Sequence, residues 1–400
     1  MDKRTILVIS KNYSPILNIV KHIDDIEWIF LLPDYMNDTE EIETTSYQFT
    51  KINLKKIDEI IEVIDSYNIS NIEGIISIEE LYQETAAYLR AHYKTKGLKT
   101  EEIGKFRNKL IMKKFALEKK IKVPEFEILR NWEAAKEFLH KHNKVVIKPV
   151  SGVGSMSTFI VDSEKKLKSV IDNLKLNKEY IIEKYIDGDV YHIDSLIVNG
   201  NVLLNNVMKY ETPAVEFKNI ESLSAITLND ESLELILKNE AKRILRAFKV
   251  DNGVTHLEVF VSKGEIIFCE IAIRPGGSGI VEVIEGLYGV NLNEACILLQ
   301  LEKNLNYSSK ILKQKKHGGW TIIFSNQNGI LKNIENEDKL LKNHGIYTVK
   351  HHYKLGERVS IPKWSSDSLT TITYVLDEYE KTKILSKNIN DIINISIDKE

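Results

Sequence analysis

"THLEVFVSKGEIIFCEIAIRPGGSG", residues 255–279, reads as two strands joined by a glycine-containing turn. In the first strand His256, Glu258 and Phe260 share one face, and Leu257, Val259 and Val261 share the other. In the second, Cys269, Ile271 and Ile273 form an apolar face opposite Glu270, Ala272 and Arg274, and a bend of Pro275, Gly276, Gly277, Ser278 and Gly279 follows. Each strand therefore sets one carboxylate in an otherwise apolar pattern. An isolated ionised carboxylate is costly to bury, and two that face each other repel unless a cation lies between them. Hard oxygen donors suit Mg²⁺, which takes one or two carboxylates and completes its shell with phosphate oxygens and water. Register decides whether the acids meet. A tight two-residue turn at Lys263-Gly264 pairs Glu258 with Cys269 and puts the acids on opposite faces. The chemistry instead predicts a three-residue or bulged turn that pairs Glu258 with Glu270.

The rest of the chain bounds what such a site serves. Four hundred residues predict two or three domains. A hydrophobic fraction of 43% with 28% charged residues describes a globular protein, and a net charge of −3 argues against a nucleic-acid binder. No apolar stretch approaches the roughly 20 residues that cross a bilayer, so no membrane association is expected. The apolar run in "MDKRTILVIS" is too short for a signal peptide. Cys269 and Cys296 stand in no metal or redox spacing, which predicts a reducing cytoplasm.

Along the chain, "TILVIS" (5–10), "WIFLLP" (28–33) and "IEGIISI" (72–78) read as buried strands, the last running into a helix over 79–94. Alternation of this kind implies a parallel sheet with helices on both faces. "SKNYSP" follows the first strand where a dinucleotide fold would carry G-x-G-x-x-G, so the segment is expected to be structural. A charged helix over 105–120 puts Phe106, Leu110, Leu117 and Ile121 on one face and Lys109 and Lys113 along its edge. A small α+β unit follows through residue 186, then a helix over about 230–248 capped by Asn229 or Asp230. His351-His352 are expected at the surface, and "KQKKHGG" (313–319) as a solvated loop.

Two further stretches carry chemistry. In "VVIKPVSGVGSMSTFIV" (145–161) Lys148 ends a strand, and Ser151, Gly152, Gly154, Ser155 and Ser157 form a loop before the next. Glycines let backbone amides approach an anion, and lysine supplies a point charge for phosphate. This is no Walker loop, and a plain hairpin with a flexible tip fits the stretch equally. In "IIEKYIDGDVYHID" (181–194) an apolar strand ends at Glu183 and turns at Asp187-Gly188, which suits either an adenine slot or an exposed Glu-Lys step. Arg274 can neutralise a transferring phosphoryl group or form a salt bridge to a neighbouring acid.

Taken in order, "RNK" (107–109), "VVIKPVSGVGS", "EKYIDGD", "HLEVF" and "EIAIRPGG" make the chain resemble the ATP-grasp superfamily of carboxylate ligases from about residue 70 to 300. The resemblance implies an α/β fold with an N-terminal α/β lobe (1–104), a mobile α+β lid with its linker helix (105–187), a C-terminal catalytic lobe (188–309) and a β-rich extension (310–400). It implies ATP and Mg²⁺, with Mn²⁺ as a substitute, and transfer of an acyl phosphate to a nucleophile. On that mapping Lys109 and Lys148 contact phosphate. Ser151, Gly152, Gly154, Ser155, Glu183, Lys184, Tyr185, Ile186 and Asp189 surround the nucleotide, Glu258 and Glu270 hold the metal, and Arg274 contacts the γ-phosphate and acyl phosphate.

"NNVMKYETPAVEFKNIESLSAI" (205–226) and "GGWTIIFSNQNGIL" (318–331) are similar to stretches of the ligases that join amino acids, such as dipeptide and carnosine synthases. This puts Lys209, Tyr210, Glu216, His256, Gly276, Gly277 and Ser278 beside the substrate with Arg274. Two positions depart from the pattern. Ala272 replaces the metal-binding Asn of E-x-N-x-R, an alanine some amino-acid ligases share, and Val190, next to Asp189, replaces a ribose-binding Glu. The expected activity is ATP-dependent amide formation between small-molecule carboxylate and amine. The alternatives are loading of an acyl-carrier-protein thiol or modification of a natural-product amine, and a non-catalytic ATP-binding regulator. The resemblance also implies a homodimer.

Overall fold

The computed structural model describes residues 4–24, 26–36, 39–69, 71–174, 178–305, 316–342 and 345–399; positions 313–315 of the expected basic loop lie outside them. Its first unit is a parallel sheet in the order Gln48–Ile52, Ile26–Pro33, Arg4–Ile9, Ile72–Ile76. The inner strands are apolar on both faces because both are covered: Ile6, Val8, Trp28 and Phe30 pack to one side, and Leu7, Ile9, Ile29 and Leu31 to the other. The strand at 48–52, "QFTKI", escapes the sequence reading because it is a half-exposed edge carrying Thr and Lys.

The expected single helix over 105–120 is two, Thr100–Arg107 and Lys109–Glu118. Asn108 adopts extended backbone (φ −98°, ψ 108°), and its side chain accepts from the amides of Leu110 and Ile111, ending one helix and capping the next. The break rotates the second helix, so its buried face is Met112, Lys113 and Ala116, whereas Leu117 is 51% exposed. The expected apolar stripe therefore survives at Phe106 and Ile121 only.

A four-stranded antiparallel sheet follows, ordered Phe126–Ile128, Tyr180–Lys184, Val145–Pro149, Phe159–Val161. The helices Trp132–His142 and Glu164–Asp172 bury Phe138, Leu139 and Leu167 with Val145 and Ile147. Facing it is an eight-stranded sheet ordered Glu265–Ala272, Gly253–Ser262, Asp189–Val198, Asn201–Tyr210, Ser222–Thr227, His317–Ile323, Thr370–Leu376, Ile346–His351. The last three strands come from the segment expected as a β-rich extension, so much of that segment continues the central sheet. Trp320, 1% exposed, packs in one core with Met208 and Tyr210. Asp230 caps the helix Glu231–Ala247. No helix among the described residues is long and apolar enough to cross a membrane.

The acid hairpin pairs Glu258 with Glu270. Its turn is tight, with Ser262 opposite Glu265 and positive φ at Lys263 (51°) and Gly264 (78°), as a two-residue hairpin loop of right-handed strands requires. The register is corrected inside the strand: Val259 pairs with Phe268, so Cys269 is an extra, bulged residue. The bulge also brings Cys269 to the cavity that Glu270 lines, where simple alternation had put them on opposite faces.

Candidate active site

Two cavities meet at the acid hairpin. The smaller, about 110 Å³, lies between the two antiparallel sheets and is lined by Lys109, Lys148, the glycine loop at 152–156, residues 183–186, Gly188, Val190, Phe260 and Cys269. The larger, about 430 Å³, is bounded by Tyr210, His256, Arg274, the bend at 275–279, Trp320 and the C-terminal residues Lys350, Ser365 and Ser366. Glu258 and Glu270 line both, as do Val153, Gly154, Ser155 and Ala214. The Ser365 amide donates to the Gly154 carbonyl at 2.8 Å, so the C-terminal segment touches the glycine loop where the cavities join.

The acids at and beside this boundary have protein partners. Glu270 Oε2 lies 3.1 Å from Lys109 Nζ. Burial would raise its pKa, but Lys109 and then Lys148 hold it well below the usual carboxylate range. Glu258 accepts from the Tyr210 hydroxyl at 2.9 Å and has His256 Nε2 at 3.5 Å. Burial and the Glu258 charge push the Tyr210 phenol far up, so it stays a donor. Glu183, 3% exposed, lies between Lys148 Nζ at 2.6 Å and Lys113 Nζ at 3.0 Å. Burial opposes its charge, yet the two lysines bring its pKa below the ordinary value. Burial raises the Cys269 thiol to about 12, which leaves it a neutral wall of the cavity.

Two networks stand behind the wall of the larger cavity. Glu80 accepts from Arg274 Nε at 3.0 Å and from Arg107 Nη1 at 2.7 Å, fixing the Arg274 guanidinium at the cavity wall. Asp194, fully buried, has His192 Nδ1 at 2.6 Å and His256 Nδ1 at 2.8 Å on its two oxygens. These three side chains are close enough to hold a metal, but the short contacts between ring nitrogens and carboxylate already account for the cluster. Burial works against charge on His256, but Asp194 outweighs it and raises the pKa to about 10. Two glycines of the bend, Gly276 and Gly279, are required by close approach. A Cβ on Gly276 would sit 2.8 Å from Asp194 Oδ1, and one on Gly279, at φ +90°, would sit 2.5 Å from Thr373 Cγ2.

Not every residue expected at the site lines these cavities. Lys209 pairs instead with Asp189 at 2.7 Å, and neither lines either cavity. Ser151 and Glu216 lie outside both linings as well. Gly276, Gly277 and Ser278 line the larger cavity with Tyr210, His256 and Arg274. Conversely, the N-terminal unit, expected to be only structural, contributes Asn12, Pro15, Glu79 and Glu80 to that wall. Glu80 stands just past the carboxyl end of the strand Ile72–Ile76, where open parallel sheets present ligands. Asp194 was signalled by an acid, two residues from a histidine, inside an apolar strand. Nothing local marks Lys113 or Trp320.

Residues 141–282 match the family described as "ATP-grasp domain". The chain is 27% identical over 337 residues to the L-arginine-specific L-amino acid ligase of Bacillus subtilis, covering 81% of this chain and 80% of that protein. It is 18% identical over 298 residues to dapdiamide A synthase of Enterobacter agglomerans, covering 68% of this chain and 65% of that protein. The crystal structure of an L-amino acid ligase from Bacillus licheniformis superposes with a TM-score of 0.81 at 17% identity, covering 100% of both chains. The fold is the ATP-grasp fold, and the chain is an ATP-dependent carboxylate–amine ligase of that type.

Proposed function

We propose that the chain phosphorylates the carboxylate of an amino acid with ATP and passes the acyl group to the amine of a second amino acid, releasing ADP and phosphate. The observation that carries this is the position of Glu258 and Glu270 on the boundary between a lysine-lined pocket and a larger polar cavity. A nucleotide in the smaller pocket has its terminal phosphate at that boundary, next to a carboxylate held on the other side. The names of the amino-acid ligases the chain is similar to supply the substrate class.

In this reading Lys148 and Lys109 face the phosphates, and the 152–156 loop lends backbone amides. The segment 183–186 borders the base, although the Glu183 carboxylate is already shared by two lysines. Glu258 and Glu270 would hold Mg²⁺, for which paired oxygen donors in one register are suitable. Ala272 adds no donor, so the remaining positions fall to phosphate and water. Bound there, the ion would neutralise phosphate charge. Lys109, paired with Glu270 in this structure, turns to phosphate as the nucleotide enters. Arg274, oriented by Glu80, stabilises negative charge on the phosphoryl oxygens. A carboxylate oxygen attacks the γ-phosphorus and the bond to ADP breaks. The amine nitrogen then attacks the acyl carbon, and phosphate leaves.

Incubation with ATP, Mg²⁺ and amino acids singly and in pairs, with ADP release and product mass measured, tests the proposal. A dehydrated amino-acid pair with stoichiometric ADP is the expected result. ADP release with no pair, but with acylation of an added carrier protein, would move the acceptor to a thiol. No ADP with any carboxylate would overturn the activity.

A further inference from the structure

The side chain of Lys113 is fully buried, an unusual place for a lysine. Its helix covers the edge of the eight-stranded sheet, and its ammonium reaches two different parts of the site. Nζ lies 3.0 Å from Glu183 Oε2, whose other oxygen holds Lys148. The same Nζ donates to the carbonyl of Cys269 at 3.2 Å. Cys269 is the bulged residue, and the bulge is what sets Glu270 opposite Glu258. A bulge leaves a strand without its regular ladder at that point, and here a buried cation holds the extra carbonyl.

We infer that Lys113 is a positioning residue that ties the phosphate-side lysine to the cation site: through Glu183 it fixes Lys148, and through the Cys269 carbonyl it fixes the register of the two acids. The inference rests on the nucleotide reading given above. It goes beyond that reading in assigning coupling to a side chain that lines neither cavity. Methionine in its place keeps the apolar stem, and Glu183 still has Lys148, so no carboxylate is stranded. What is lost is the ion pair to Glu183 and the donor to the bulge.

Calorimetric titration of the full chain with a non-hydrolysable ATP analogue, in EDTA and over a range of Mg²⁺ concentrations, tests this. The wild type is expected to bind and to tighten with Mg²⁺. No binding at all would overturn the nucleotide reading and this inference with it. Lys113→Met is expected to raise the Mg²⁺ concentration for half-maximal tightening by about tenfold or more, the usual range for loss of a group behind metal ligands. A merely structural loss would weaken the analogue equally with and without Mg²⁺. Lys113→Gln, whose amide can still donate to Cys269, is expected to shift the Mg²⁺ requirement in the same direction but by less than methionine does, and it carries the test if the methionine variant melts below the assay temperature. A Mg²⁺ response equal to wild type in the variants, or a loss independent of Mg²⁺, would overturn the coupling.

Discussion

The smaller cavity and the larger one are built in opposite ways. The smaller is lined mostly by one part of the chain, the four-stranded sheet with its 152–156 loop and the 183–186 segment, with the acids and lysines neutralising one another. The larger draws its wall from the N-terminal strand ends, the central sheet, the glycine bend and the C-terminal strands. In the proposed function one surface meets a constant phosphate chain, which needs fixed charges at fixed spacing. The other meets a variable side chain and is assembled from segments that can change independently. Variants on the two sides should therefore separate in their kinetics.

The largest effect is expected at the boundary, where both sides depend on one residue. Glu270→Ala, which in the proposed function removes a cation ligand, also frees Lys109 and should lower kcat by at least about 100-fold whichever substrate is varied. Near-normal turnover would remove the acids from the account. Lys148→Ala comes next, with the KM for ATP raised about tenfold or more, since a charge-assisted contact to phosphate is lost. The KM for the amino acids should stay within about twofold; an equal rise in both would break the separation of the two cavities. Gly276→Ala pushes a methyl against Asp194 and Ile280. Overpacking of this kind costs about 1–3 kcal/mol, and steady-state kinetics should show the loss as a higher KM for amino acids with ATP unaffected. Trp320→Phe should be the mildest, altering preference among amino acids by a few-fold in competition assays without changing ADP release at saturation.

A pH measurement sharpens the same contrast from the substrate side. The folded pKa of His256 is about 10, well above its ordinary value of about 6.5. A raised pKa means stability that is fully present below about pH 6.5 and is lost as pH rises through about 10. Thermal melts of wild type against His256→Gln should therefore differ less at pH 10 than at pH 6, and an unchanging difference would contradict the Asp194–His256 pairing.

How much of this was legible in the sequence follows the same division. The acid hairpin, the lysine at a strand end and the glycine loop are local patterns, and alternation plus the cost of buried charge was enough to predict that Glu258 meets Glu270. The way the register is achieved was less accessible, because a bulge at Cys269 leaves no mark that distinguishes it from a looser turn. The substrate wall was read in part. Arg274 was named, but its partner Glu80 is 194 residues away, and no spacing rule joins them. Lys209 and Glu216 carried the right chemical types on a plausible stretch, yet Asp189 takes the first of them. Lys113 was placed along the edge of a helix, and lysines seldom go inside. Only the break at Asn108, which rotates that helix, turns it inward.

The central claim is that a carboxylate oxygen becomes bonded to the γ-phosphorus where the two cavities join. The direct test uses an amino acid labelled with ¹⁸O in its carboxylate, turned over with ATP, Mg²⁺ and an acceptor amino acid. One labelled oxygen should appear in the released inorganic phosphate, in step with ADP. Unlabelled phosphate, or label recovered in AMP, would contradict the acyl-phosphate route.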